Sequence, residues 1–480
     1  MTCPLGSPRL FGIDDARLDR VLTMGLVSLI AVSRIAAFPA SIWEQDEAVF
    51  ASAVMTFDPT GNLPHPPWFP LWIGLGKVVH LLGVDPATSL CLLSAAISVW
   101  MVFPLTSMWS NVLPRSQAVG AALLVLAAPG PWWLSGRAFS GTTATAFLAA
   151  ALAFWLRAGP HSRSTAAGAA AAACAVLVRP QLLPAAVGSF ALCLGRMTPE
   201  QRRTAVAAFA APLLVAAIVL SITAGGLAPL WRALEVHATA HVSQLADANK
   251  NIAGSGVSRS LGHPAAAAVW SVLLLIGTVR LVRRDRWREL APVLVGAALT
   301  TTVVVEFLSD PTHARYAIPI LAFTAGPVIA GLEMIARRWT PAVVVAVIVG
   351  SAAFVGPQLT AYRAIASPPV AALEHAVGEA RSRDGTLVVD RRLSAFIVER
   401  ELVRPVGVPV LFDHMIERDW AVPPPPERTV FVFDRSHDAI LADAAEQRLF
   451  TTDLPLARLL AQDRFLDVEV ASGASLQSVP

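Results

Sequence analysis

Three carboxylates, Glu44, Asp46 and Glu47, stand within four positions directly after a long apolar run. Acids at a membrane edge are costly unless something uses them. They can cap a helix, meet the positive end of its dipole, or take a proton from a hydroxyl as a general base. Ser41 and Glu44 have the spacing of a capping box, which is the plain reading of Glu44. Further along, His65 opens a His-Pro-Pro segment, and Arg137 and Arg315 fall at the ends of apolar runs, with Tyr316 beside Arg315. A guanidinium fork there can hold phosphate oxygens in two parallel bonds, or simply anchor among lipid headgroups. His237 and His241 are four apart, a spacing at which two imidazoles on one helix face can ligate zinc or manganese. No third ligand is evident in the sequence, although Asp46 or Glu47 could approach in three dimensions. His263 closes the same polar stretch. Arg34 sits inside the first apolar run, where an ionisable residue is a functional candidate by default; it could meet the acids or pair with a lipid headgroup.

The elements that must position these residues are membrane helices. Hydrophobic residues make up 55% of the chain and charged residues 15%, against about 25% charged in soluble domains. Apolar blocks of roughly 17–25 residues, the length that crosses a bilayer, recur along the chain. They predict about eleven spans: 21–40, 87–109, 117–135, 141–157, 165–179, 181–195, 204–224, 264–282, 289–308, 316–336 and 341–359. The first reads as an uncleaved helix rather than a signal peptide. The short pair 165–179 and 181–195 flanks Arg179-Pro180 and reads as a broken pair.

With the N-terminal segment 1–20 in the cytoplasm, most arginines collect in the inner loops, as the positive-inside bias requires. Two long loops then face outward, 41–86 and 225–263, and an odd span count places the C-terminus outside as well. In the first loop, Val49, Phe50, Ala53, Val54 and Phe57 form one apolar stripe, predicting a helix lying along the membrane surface. Residues 65–83 read as a second surface helix, because an ionised Lys77 near a bilayer centre would cost roughly 2.5–3.5 kcal/mol.

The chain therefore reads as a polytopic α-helical membrane protein of the plasma (inner) membrane, with a membrane domain over 21–365. Residues 366–480 change character. TLVVD, RTVFVFD and FLDVEV read as strands and DAILADAAEQRLF as a helix, giving a small extracytoplasmic α/β domain with a polyproline loop at Pro423–Pro426. The four cysteines form no expected disulfide. The net charge of +3, spread over short loops, gives no concentrated basic surface and excludes nucleic acid as a partner. No fixed-period repeat is visible, which weakens transporter folds built from duplicated halves.

An Asp-Glu pair after the first span, followed by His-Pro-Pro opening an apolar helix, resembles the GT-C glycosyltransferases, in the branch of the protein O-mannosyltransferases and lipid A aminoarabinose transferases. Further similarities follow in order: GRAFSGTTATAFLAAALAFWLR (136–157), VLVRPQLLP (176–184), the Glu235-Val-His237 loop ending at His263-Pro264, and HARYAIPILAF (313–323). The resemblance spans about residues 15–365 through dispersed motifs whose order carries the weight. The family commonly has an Asp near 140–142; here Ser140, Gly141 and Thr142 stand there.

The resemblance implies transfer of a sugar from a polyprenyl-phosphate donor to an extracytoplasmic acceptor, with inversion. Glycan, lipid and protein are all open as the acceptor, and membrane lipids are partners. It also implies Asp46 as the base, with Glu47 positioning the acceptor or shaping the local field. Arg315 leads the groups expected at the donor phosphate, with Tyr316, His65 and Arg137 behind it. His237, His241 and His263 are expected at substrate or at a divalent cation, which some relatives use; no cofactor is otherwise implied. Composition suggests a GC-rich bacterium. Two readings compete with this one. A transporter or flippase for a lipid-linked sugar would use Arg34 and the Arg179-Pro180 break. A GT-C-like scaffold without activity would account for the missing acid.

Overall fold

A computed structural model describes residues 15–157, 162–247, 256–307, 313–390, 393–412, 428–434, 446–460 and 465–472. Helix α1 (Asp15–Ala36) leads to the acids, which open α2 (Gln45–Met55); α3 (Pro70–His80) follows. Next come α4 (Pro86–Trp100) and α5 (Val102–Trp109), nearly continuous, then α6 (Arg115–Ala127) and α7 (Pro129–Leu134). The bundle continues through α8 (Gly141–Leu156), α9 (Ser162–Val178), α10 (Leu183–Leu194) and α11 (Pro199–Thr223). After α12 (Leu227–Asp247) and the short α13 (Gly256–Ser260) come α14 (Pro264–Arg283), α15 (Trp287–Phe307), α16 (Ala317–Ala336) and α17 (Thr340–Ala364).

Each expected span coincides with a helix or a helix pair. Four helical stretches among the described residues are long and apolar enough to cross a membrane: 86–109, 199–223, 264–283 and 314–382. Others are shorter for visible reasons. Pro129 ends α6, and Arg179-Pro180 separates α9 from α10 through a turn at Pro180–Leu182. Small residues allow α14 and α16 to approach closely. A Cβ on Gly277 would collide with the Pro327 carbonyl, and one on Gly331 with that of Leu273.

The C-terminal segment carries α18 (Pro368–Ser382), β1 (Thr386–Val389), α19 (Ser394–Val403), β2 (Val410–Phe412), β3 (Thr429–Asp434), β4 (Glu446–Thr451) and β5 (Asp467–Ser472). The sheet order is β2-β1-β3-β5-β4. β1 runs parallel to β2 and β3, and β5 runs antiparallel to β3 and β4. The three expected strands are present as β1, β3 and β5. The expected helix over 438–450 is corrected at its end: Glu446–Phe450 belongs to β4, drawn into extended form by pairing with β5. Its earlier residues, and the Pro423–Pro426 loop, lie outside the described residues.

In the first loop, α2 departs from the expected surface helix. α3, at 11 residues, is about 16 Å long and does not span. Lys77 Nζ donates to the Val54 carbonyl at 2.9 Å. α2 does not lie on a surface at all; it is packed on two sides. Phe50, Ala53 and Val54 join the main helical core. Ile42, Ala48 and Ala51 join a second core made with α18, α19 and the sheet. The helix is nearly apolar all round after its first turn, which suits a buried position rather than an interface.

Candidate active site at the acid-bearing end of the bundle

The site is built on the first turn of α2. Glu44 is the N-cap, in extended conformation, and Glu47 sits at N3. Glu47 Oε2 accepts from the backbone N–H groups of Trp43 and Glu44, both at 3.0 Å. The capping box is thus Glu44 with Glu47, three residues along from the expected Ser41 pairing. The Ser41 hydroxyl instead accepts from the Ser367 N–H at 2.7 Å.

Arg137, in the link between α7 and α8, is fully buried against these acids. Its Nε donates to Glu47 Oε1 at 3.1 Å and its Nη1 to Glu44 Oε1 at 3.0 Å, while Nη2 pairs with Glu47 Oε2. The Ala138 N–H adds a bond to Glu47 Oε1 at 3.1 Å. The guanidinium lies 4.3 Å from the Trp133 ring and 4.7 Å from that of Phe139. Burial alone would pull its pKa down; Glu47 and Glu44 outweigh that and hold it above the ordinary arginine value.

Arg315 lies in the turn Ala314–Tyr316 before α16. Its Nη1 is 2.8 Å from Asp46 Oδ2 and 3.5 Å from Glu44 Oε2, and its Nη2 donates to the Tyr316 hydroxyl at 3.2 Å. Glu44 therefore bridges two arginines. The buried Nε–H of Arg315 has no acceptor among the described residues. Of the three acids, Glu44 and Glu47 are sealed in, while the Asp46 side chain is 28% exposed.

A residue not expected here completes the cluster. Arg179, at the break between α9 and α10, directs Nη1 to the Ser140 hydroxyl at 3.3 Å and lies 5.1 Å from the Tyr316 ring. Arg315 is also 5.1 Å from that ring, so two buried guanidinium groups flank one tyrosine. Among the described residues Arg179 has no carboxylate partner. Its signal in the sequence is the Arg-Pro break within VLVRPQLLP (176–184), which reads as a helix discontinuity, a family similarity and the pathway of a flippase. His313, stacked on Tyr316 at 5.7 Å, was missed for want of any spacing pattern.

The histidines divide. The His65 ring stacks on that of His237 at 5.5 Å and touches α2 through Phe50 at 6.0 Å. His263 Nδ1 accepts from the Ala265 N–H at 3.0 Å and so caps α14. The side chain of His241 lies outside the described residues. Among the described residues no three His, Cys, Asp or Glu side chains converge as a metal site would need, so the expected cation has no ligand set there. Arg34 does not reach the acids. Its Nε donates to Ser98 Oγ at 2.8 Å and its Nη2 to the Leu126 carbonyl at 2.6 Å, tying α1 to α4 and α6.

No family model matches the sequence, and no curated protein matches it. Solved structures do. ArnT from Cupriavidus metallidurans bound to undecaprenyl phosphate aligns with 97% of this chain and 100% of its own, at 14% identity and a TM-score of 0.54. The oligosaccharyltransferase of Archaeoglobus fulgidus in the apo form aligns with 88% of this chain and 70% of its own, at 11% identity and a TM-score of 0.53. These neighbours are GT-C glycosyltransferases, and the chain is a multi-pass membrane protein that shares their fold.

Proposed function

We propose that the chain is an integral-membrane glycosyltransferase that moves a sugar from a polyprenyl-phosphate donor to an acceptor at the extracytoplasmic face, with inversion. The acid-bearing end of the bundle would lie outside, together with residues 366–480. The observation that carries this reading is the division of labour among the acids. Glu44 and Glu47 are locked to Arg137, and Asp46 alone keeps a solvent-reachable carboxylate, beside Arg315 and the carboxylate-free Arg179.

In a single displacement, the acceptor oxygen bonds to the anomeric carbon as the bond from that carbon to the phosphate oxygen breaks. The bonding pair leaves with the lipid phosphate, and the acceptor proton goes to Asp46. Negative charge grows on the departing phosphate. Arg179 and the unpaired Nε–H of Arg315 are placed to stabilise it. Glu47 acts one layer back, holding Arg137 and the start of α2. His65 and His237 form a separate pair, which we assign to substrate binding. Arg34, which the flippase reading would use, donates to Ser98 Oγ and the Leu126 carbonyl.

The test is reconstitution of the purified protein with a panel of polyprenyl-phosphate sugars and candidate acceptors, measuring released lipid phosphate. Asp46→Asn should abolish release while leaving donor binding intact. Retention of transfer in that variant would remove Asp46 from the chemistry. Binding without transfer from any donor would favour the inactive scaffold.

A further inference from the structure

At the opposite end of the bundle lies a second feature that the proposed reaction does not use. A cavity of about 580 Å³ opens between the α5–α6 link and the ends of α14 and α16. Its polar lining includes Gln117, Arg280, Arg284, Arg286 and Glu333. Glu333 is consumed by the scaffold. Arg280 Nη2 pairs with it at 2.8 Å, and Arg280 Nη1 donates to the Ala330 carbonyl at 2.7 Å, fastening α14 to α16.

Arg284 and Arg286 remain. Their backbone N–H groups close the end of α14 on the carbonyls of Arg280 and Leu281. Their guanidinium groups have no hydrogen-bonded or ionic partner among the described residues. Asp285, between them in sequence, does not line the cavity. Two free cations and a neutral amide therefore face a space large enough for a phosphorylated glycerol.

The position of the cavity limits what can fill it. α16 begins beside Arg315 and reaches Glu333 about 24 Å further on, close to the thickness of a hydrocarbon core. Trp287 and Trp339, 55% and 61% exposed, stand at the same end, as aromatic residues do at a bilayer boundary. Basic pockets between membrane helices at such a boundary suit phosphorylated headgroups.

We propose that this cavity binds a glycerol-linked phosphate, held by Arg284 and Arg286, of the kind an anionic phospholipid presents at the membrane surface. The full chain in nanodiscs would be titrated with phosphatidylglycerol in a phosphatidylcholine background, and in parallel with sn-glycerol 3-phosphate and inorganic phosphate. Binding would be read by native mass spectrometry and by melting temperature. Phosphatidylglycerol should raise the melting temperature. The double variant Arg284→Ala, Arg286→Ala should lose binding at least about tenfold, as expected when two charge-assisted contacts are removed. Arg283→Ala, Arg288→Ala alters the same helix ends outside the cavity and should bind as the parent does. Response to the lipid alone identifies a membrane source, and equal response to the soluble phosphates identifies a free one. Equal losses in both double variants would reduce the effect to the general positive charge of this face and overturn the proposal. So would a double variant that binds like the parent, or a parent that binds none of the three probes.

Discussion

At the scale of single residues, three adjacent acids end in three different situations. Glu47 receives backbone N–H groups from both sides and a buried arginine. Glu44 is divided between Arg137 and Arg315. Asp46 faces outward with Arg315. Their substitution should separate accordingly. Glu47→Gln strips a sealed guanidinium of its main counter-charge and should destabilise the protein by roughly 3–5 kcal/mol, seen as a lower melting temperature in detergent. Asp46→Asn removes the more exposed partner of Arg315, which keeps Glu44 and the Tyr316 hydroxyl, and should cost less stability than Glu47→Gln. Equal losses would mean that Asp46 is part of the scaffold. On the proposed mechanism, Arg179→Ala should leave folding intact and weaken binding of the polyprenyl-phosphate donor roughly 10–100-fold, the worth of one lost hydrogen bond to a charged group, measurable by calorimetry.

At the scale of elements, α2 decides the site because it belongs to two cores at once. One face packs into the helical bundle and the other into the C-terminal segment, with α19 against it. The Ser367 hydroxyl donates to the Ile42 carbonyl, and the Ser367 N–H to the Ser41 hydroxyl, just before the acids. A shift of either body therefore moves Asp46 relative to Arg315. Ala51 is fully buried in the seam. Ala51→Leu should cost about 1–3 kcal/mol by overpacking and should lower the turnover of sugar transfer more than donor affinity. A variant with normal turnover would show that the seam does not hold α2 in register.

At the scale of the whole molecule, the same junction carries a titratable group. Glu399 on α19 has its carboxyl pushed up to about 7, by burial first and by Asp85, the N-cap of α4, second; Arg400 works in the other direction. The ordinary value is 4.5, so the folded state holds this proton more tightly than the unfolded chain does. The contribution to stability is complete below pH 4.5, falls as pH rises towards 7, and is lost above it. Melting temperatures at pH 5 and pH 8 should therefore differ by several degrees more in the parent than in Glu399→Gln, which lacks the titrating group at this position. An identical pH dependence in both proteins would place the buried charge elsewhere.

Apolar runs of bilayer length were legible as helices without a structure, and every expected span falls on a helix or a helix pair, four of the helical stretches among the described residues being long and apolar enough to cross a membrane. The sequence also marked Asp46, Glu47, Arg137 and Arg315, because charges bordering apolar runs are conspicuous. What each charge meets depends on the fold. Glu44, Arg137, Arg179 and Arg315 are far apart in the chain, and their pairing depends on which helix ends meet. Periodicity read α2 as a surface helix, since one apolar stripe was enough to explain it; the second face is covered by residues more than 300 positions away, as Ser41 with Ser367 shows. Strand β4 was lost for the same reason: its backbone is satisfied by β5, a partner that no local window contains.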